Sequence, residues 1–231
     1  MTDQHLSNIE LYYSPSGLIK KEIIIEGEDF NHIIKVMRHA VQDIVHITDG
    51  KGSIYQSQII NIHKESITAK PVKVFHFEDT KKNLFFCIPK LKNPDRFEFA
   101  LEKCVELGIT RFIIFESKRS VSKSERTERW NKILISAMKQ SLRCYLPEIK
   151  AVNSLKEIFL NQGEKLVFEQ NSPNLIRNLK IIPEEKYYFI FGPEGGLDND
   201  ELNMFNPANI FNLAENRLRS ETAIIKAASL I

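Results

Sequence analysis

The chain has only three cysteines, Cys87, Cys104 and Cys144, scattered along it with no Cys-x-x-Cys pair and no histidine beyond His76 to complete a zinc site. Free, mostly buried thiols and no metal are expected. No apolar run approaches the roughly 18 residues of a membrane span. The polar start, Met1-Thr2-Asp3-Gln4-His5, lacks the basic, then apolar pattern of a signal peptide. The expectation is therefore a cytoplasmic protein with no membrane partner. From residue 80 onward there is no histidine at all, which removes the commonest base for a serine or cysteine nucleophile. Gly-x-x-x-x-Gly-Lys-Ser/Thr and Gly-x-Ser-x-Gly are both missing, which disfavours P-loop hydrolysis and serine-elbow chemistry. The glycine-rich loop arrives near the end of the α/β region, whereas a Rossmann site sets Gly-x-Gly-x-x-Gly after its first strand, so NAD and Rossmann-type methyltransferases are disfavoured as well. The chemistry must work without imidazole.

What is present suits two domains. A chain of 231 residues with 42% hydrophobic content can bury a sizeable core. The net charge of +2 hides an asymmetry: residues 81–150 hold 16 Lys and Arg against 8 Asp and Glu, a local excess of +8, so the remainder carries −6. A single charge run is commonly a solvated surface, but a concentration of this size favours a nucleic-acid partner.

The first 75 or so residues read as short strands: Ile23-Ile24-Ile25, Ile44 to Thr48, Ser53 to Ile60 and Ser66 to Val72, with Asp49-Gly50-Lys51-Gly52 as a hairpin turn. A small β-barrel is expected. Phe30 to Arg38 reads as a helical turn or two whose apolar positions plug that barrel while His32, Lys35 and Arg38 face out. A charged stretch, Val74 to Asn83, separates this region from strands alternating with helices, giving domains at 1–74 and 75–231. In the second domain Leu84 to Ile88 is followed by a helix with Asn93 as cap and Pro94 at its start. Then come Arg111 to Phe115, a longer helix carrying Trp130, Leu134 and Met138, and strands at Glu148 to Val152, Lys165 to Glu169, Tyr187 to Phe191 and Asn209 to Leu213. This is an α/β pattern with a mostly parallel sheet.

Two of these strands end in loops that could hold a ligand. Tyr187 to Phe191 runs into Gly192-Pro193-Glu194-Gly195-Gly196, with Asp198 and Glu201 placed to cap and begin a helix. Asn209 to Leu213 ends at Ala214-Glu215-Asn216, and Arg217 to Ala228 reads as the helix after it. Successive strand-loop-helix units put both loops at one carboxyl edge of the sheet.

With Glu201, the Gly192 to Gly196 loop resembles a signature of the RsmE-type 16S ribosomal RNA uridine-N3 methyltransferases of the SPOUT superfamily. Leu213 through Arg217-Leu218-Arg219-Ser220-Glu221-Thr222-Ala223 resembles a second. Supporting stretches are Phe30 to Arg38, Asp49 to Gly52, Glu102 to Gly108, Arg119-Ser120-Val121 and Gln140 to Arg143 before Pro147. The resemblance implies an N-terminal PUA-like β-barrel, a SPOUT α/β domain with a C-terminal trefoil knot, S-adenosylmethionine as cofactor, 16S ribosomal RNA of the small subunit as substrate, and a homodimer. Two positions depart from the family pattern: Ala214 and Gln42 stand where glycine is usual.

By that resemblance the cofactor lies against Glu169, Phe191, Gly192, Pro193, Glu194, Gly195 and Gly196 on one side and Leu213, Ala214, Asn216, Arg217 and Leu218 on the other. Arg219 or Arg217 is expected to stabilise the uracil anion or its phosphate, because a guanidinium is always charged and donates two hydrogen bonds. Alternatively, one of them pairs with Glu194, Glu215 or Glu221. Glu194 and Glu221 are the candidate proton acceptors. His32, Arg38, Lys90, Lys118, Arg119 and Arg143 are the candidate RNA contacts. A SPOUT ribose 2′-O-methyltransferase and a non-catalytic RNA-binding assembly protein stay open as alternatives.

Overall fold

The structure is a computed structural model that describes residue 6, residues 8–119 and residues 127–231. The polar start at 1–5 and the Ser120-Val121 part of a family stretch lie outside the described residues. The chain divides into two compact units: the chain up to Asp79 together with Ile135–Leu146, and Thr80–Leu134 together with Pro147–Ile231.

The first unit contains β1 (Leu11–Tyr13), β2 (Leu18–Ile19), β3 (Glu22–Glu26), α1 (Gly27–Asn31), β4 (Ile44–Thr48), β5 (Ser53–Ile62) and β6 (Ser66–His76). Its sheet runs β1-β4-β5-β6-β3-β2, antiparallel except for the β1–β4 pair. Period-2 alternation sends Ile23 and Ile25 inward from β3 while Glu22, Ile24 and Glu26 face out. The sheet curls: just beyond β1, the Ser14 hydroxyl donates to the Ile24 carbonyl of β3 at 2.7 Å, joining strands far apart in sheet order. Phe30 of α1 and Ile33, in a π turn over His32–Val36, fill the core beside Tyr12, Val45, Ile47 and Ile67. Val36, by contrast, is 64% exposed, because the wider π turn rotates it out of the apolar stripe.

The Asp49 to Gly52 turn joins β4 to β5 as a hairpin, with Asp49 Oδ1 accepting from the Lys51 amide at 2.7 Å and Oδ2 from the Tyr55 hydroxyl at 3.0 Å. Gly52 sits at φ +101, and a Cβ there would fall 2.4 Å from the Tyr145 hydroxyl. Its amide donates to the Cys144 carbonyl at 2.9 Å. This closure ties Ile135–Leu146 to the N-terminal unit.

The second unit holds β7 (Leu84–Pro89), α2 (Pro94–Glu106), β8 (Arg111–Phe115), the first part of α3 (Thr127–Gln140), β9 (Glu148–Val152), α4 (Leu155–Phe159), β10 (Glu164–Phe168), β11 (Tyr187–Ile190), α5 (Asn199–Leu202), β12 (Ile210–Phe211) and α6 (Ser220–Leu230). The order is β12-β10-β11-β7-β8-β9, every pair parallel. Asn93 caps α2 through Oδ1, accepting from Asp95 and Arg96 amides at 2.9 and 3.2 Å. Two sequence expectations are corrected here. Strand β12 stops at Phe211 rather than Leu213, because Asn212 turns the chain out of the sheet, its Oδ1 accepting from the Ala214 amide at 2.8 Å. The last helix starts at Ser220, not Arg217: Arg219 is an extended N-cap at φ −70, ψ 155, and its carbonyl takes the first helical bond, from Ala223 at 2.9 Å.

All three cysteines are buried free thiols. Burial pushes those of Cys87 and Cys104 far above the ordinary thiol range and that of Cys144 up to about 11. Among the described residues no helix is long and apolar enough to cross a membrane, and no cluster of three or more His, Cys, Asp or Glu could hold a metal.

Candidate active site

Strands β7, β8 and β9 step outward in order, but β11 lies between β10 and β7, so the sheet reverses direction there. Such a switch point opens a crevice at the carboxyl edge of parallel strands. A cavity of 660 Å³ occupies it, within the range of about 300–1,000 Å³ usual for small-molecule sites. Its walls are the β10 end from Phe168 to Asn171, the loop from Phe191 to Leu197 after β11, the segment from Asn212 to Ala223 without Glu215 and Thr222, Leu202, and Arg96 of α2. The Phe168 and Phe191 rings stack with centroids 5.1 Å apart, giving one apolar flank.

The glycine loop is shaped by steric need and braced from behind. A Cβ on Gly192 would meet Gly196 Cα and the Leu197 amide nitrogen, each at 3.2 Å, so any larger residue would push the loop open by a few tenths of an ångström. The Gly196 amide closes the turn on the Pro193 carbonyl at 2.9 Å. Arg119 Nη1 donates to the Gly195 carbonyl at 2.7 Å. Buried Glu201 accepts from the Asp198 amide at 2.9 Å, the Ser117 hydroxyl at 3.1 Å and the Lys118 amide at 3.1 Å. Asp198 completes a capping box by accepting from the Glu201 amide at 2.8 Å. That amide, and then Lys118, hold the Asp198 carboxyl below the usual carboxylate range.

Every residue assigned to cofactor binding from the sequence lines this one cavity: Glu169, Phe191 to Gly196, Leu213, Ala214, Asn216, Arg217 and Leu218. The four candidate catalytic residues, Arg217, Arg219, Glu194 and Glu221, line it too. Glu194 Oε1 accepts from the Lys92 amide at 2.9 Å. Glu221 pairs with Arg96, Oε1 to Nε 3.6 Å. Arg217 and Arg219 are exposed and form no ion pair with a carboxylate among the described residues. Ala214 does not sit at positive φ, so its methyl group adds no backbone strain. Gln42 does, at φ +81: the glycine-like conformation survives there without glycine.

The candidate RNA contacts divide sharply. Exposed Arg38, exposed Arg143 and half-buried His32 belong to the N-terminal unit. Lys90 is 5% exposed and bonded to Glu116 at 3.0 Å, so burial removes it from any surface a phosphate reaches. Lys118 is engaged with Asp198 and Asp200 at 2.9 and 2.6 Å, and Arg119 braces the glycine loop. Sequence reasoning missed Arg96, Asn171, Leu197 and Leu202 as lining residues. Arg96 lies two positions into α2, and only the packing of α2 on α6 brings it to the cavity.

A family model for the RNA methyltransferase domain matches residues 78–231. The chain belongs to the RNA methyltransferase family. The model for the RNA methyltransferase PUA domain matches residues 25–72 of the same chain. This methyltransferase is 26% identical over 218 residues to the ribosomal RNA small subunit methyltransferase E of Rickettsia conorii, covering 91% of this chain and 89% of that one. It is 26% identical over 231 residues to the protein of that name from Bacillus subtilis, covering 90% and 88%. A probable rRNA-methyltransferase from Porphyromonas gingivalis superposes with a TM-score of 0.84 at 25% identity over 95% of both chains. A ribosomal RNA small subunit methyltransferase E from Neisseria gonorrhoeae, solved bound to S-adenosyl methionine, shares the fold with a TM-score of 0.79 at 24% identity over 95% of both chains. The expected architecture holds as a curled PUA-type sheet and a parallel α/β methyltransferase unit.

Proposed function

We propose that this RNA methyltransferase uses S-adenosylmethionine to methylate N3 of a uridine in 16S ribosomal RNA of the small subunit. One observation carries the reading: the loops after β11 and β12, parallel strands on either side of β10, converge with a stacked Phe168–Phe191 wall on a single cavity. The residues present suit an adenosine-bearing ligand. An aromatic flank and glycine backbone leave room for a planar base, and peptide N–H and C=O groups at three strand ends can read its edges. Bound there, S-adenosylmethionine supplies an electrophilic methyl carbon on a sulfonium. The protein's own task is then alignment, which is worth several kcal/mol when two reactants are held in line. Arg217 and Arg219, exposed at the cavity rim, would stabilise the uracil anion left when its N3 proton departs. Glu194 and Glu221 are the carboxylates at hand for that proton.

The same reading includes a homodimer, a cytoplasmic location and a trefoil-knotted segment toward the C-terminus. RNA contact through Arg38 and Arg143 belongs to it as well. Incubation with radiolabelled S-adenosylmethionine and unmodified small subunits, followed by nucleoside analysis, tests the reading: label is expected in 3-methyluridine. Label in a ribose-methylated nucleoside overturns the N3 assignment.

A further inference from the structure

We infer that Arg96 is the anion-holding arm of the cavity, its guanidinium fork engaging a carboxylate or phosphate oxyanion of a bound ligand while Glu221 positions it. The inference rests on the cavity being the methyl-donor site. Arg96 stands in the first turn of α2, its backbone fixed by the Asn93 cap. Its Nε lies 3.6 Å from Glu221 Oε1, in the first turn of α6. The Glu221 side chain is 12% exposed and the Arg96 side chain 40%, so one flank of the guanidinium is tied down and the rest borders the cavity. Among the described residues, no hydrogen bond or other ion pair occupies its two terminal nitrogens.

That is the geometry of a receptor. A planar fork binds a carboxylate or phosphate through two parallel bonds, and it binds best when its rotamer is already set. Arg217 and Arg219 border the same cavity without such an anchor and must be ordered on binding. A nearly buried carboxylate also needs a cation beside it, so Glu221 and Arg96 hold each other. Two ligands present the required chemistry: the methionine end of the methyl donor carries a carboxylate, and RNA carries phosphates.

Calorimetry on the whole protein separates these sources. Wild type, Arg96→Gln, Arg96→Lys, Glu221→Ala and Glu221→Gln are titrated with S-adenosylhomocysteine, with a small-subunit RNA fragment, and with 5′-methylthioadenosine, which keeps the nucleoside and thioether but has no carboxylate. The expected result is an Arg96→Gln loss of about ten- to a hundredfold for S-adenosylhomocysteine with 5′-methylthioadenosine unchanged. A loss confined to the RNA supports the same arm with phosphate as its ligand. Arg96→Lys keeps the charge without the fork and recovers only part of the loss. Glu221→Ala acts in the same direction, and Glu221→Gln recovers part; an inert Glu221→Ala overturns the positioning role. Unchanged affinities in Arg96→Gln, or equal losses for all three ligands, overturn the inference and leave the pair a tie between α2 and α6. Failure of wild type to bind either nucleoside overturns the reading of the cavity itself, a result distinct from an insensitive Arg96 in a protein that binds them.

Discussion

Arg119 donates from Nη1 to the carbonyl oxygen of Gly195 at 2.7 Å, across 76 residues of chain. The guanidinium thereby holds one corner of the glycine loop. Arg119→Ala is expected to weaken S-adenosylhomocysteine binding about tenfold, the order of one charge-assisted hydrogen bond, and to leave the salt dependence of RNA binding unchanged. Calorimetry paired with RNA titrations at several salt concentrations checks this. A flatter salt slope with intact cofactor affinity returns Arg119 to the RNA surface.

Glu201 stands behind the same loop with three donors on one buried carboxylate. Removing it takes the acceptor from the Asp198 and Lys118 amides, so Glu201→Ala should destabilise the protein by about 2–3 kcal/mol, read as a shift of the urea midpoint. Asp198 gives this region an acid limb. Its folded carboxyl is held low by the Glu201 amide and then by Lys118. Its contribution is complete above the ordinary carboxylate value of about 3.9 and is lost as pH falls through the lower folded value. Asp198→Asn keeps the cap acceptor and should flatten the fall of the urea midpoint below pH ~4.

Gln42 holds φ +81, with its amide bonded to the Ile59 carbonyl at 2.8 Å. A residue with a Cβ pays roughly 1–2 kcal/mol to sit in that region, and glycine's extra freedom in the unfolded chain returns part of it. Gln42→Gly should therefore stabilise the protein by about 1 kcal/mol and raise its melting temperature by a few degrees. A lower melting temperature rules out backbone strain at this site.

Exposed Arg38 and Arg143 contrast with Lys90, buried on Glu116. Replacing either arginine with alanine should weaken RNA binding and reduce the salt slope by about one each. Lys90→Ala should leave the slope alone and lower thermal stability instead, because the packing of the buried Lys90 side chain is lost while the exposed Glu116 carboxylate stays in water.

Strands β4, β8 and β9 lie on the residues their patterns indicate, since a buried or alternating strand is written in its own side chains. The start of α6 is three residues off, because the Arg217 to Arg219 run has helical propensity but spends its backbone on the cavity wall. Strands β1 and β2, at three and two residues, are too short to show a period. The basic excess between residues 81 and 150 was visible in the composition, yet the jobs of its members were not. Lys90, Lys118 and Arg119 each find a partner 26 or more residues away, and no local pattern encodes that distance.

The sequence by itself determined the two textures of the chain, the parallel α/β order, and the two loops that become the cavity, because glycine, proline and apolar periodicity act over a few residues. Tertiary structure alone decided that Ile135–Leu146 closes on the Gly52 turn, that Glu201 serves as a brace, and that Arg96 meets Glu221. Charged side chains take their roles from whichever groups burial and packing set within about 4 Å, and those groups come from distant stretches of chain.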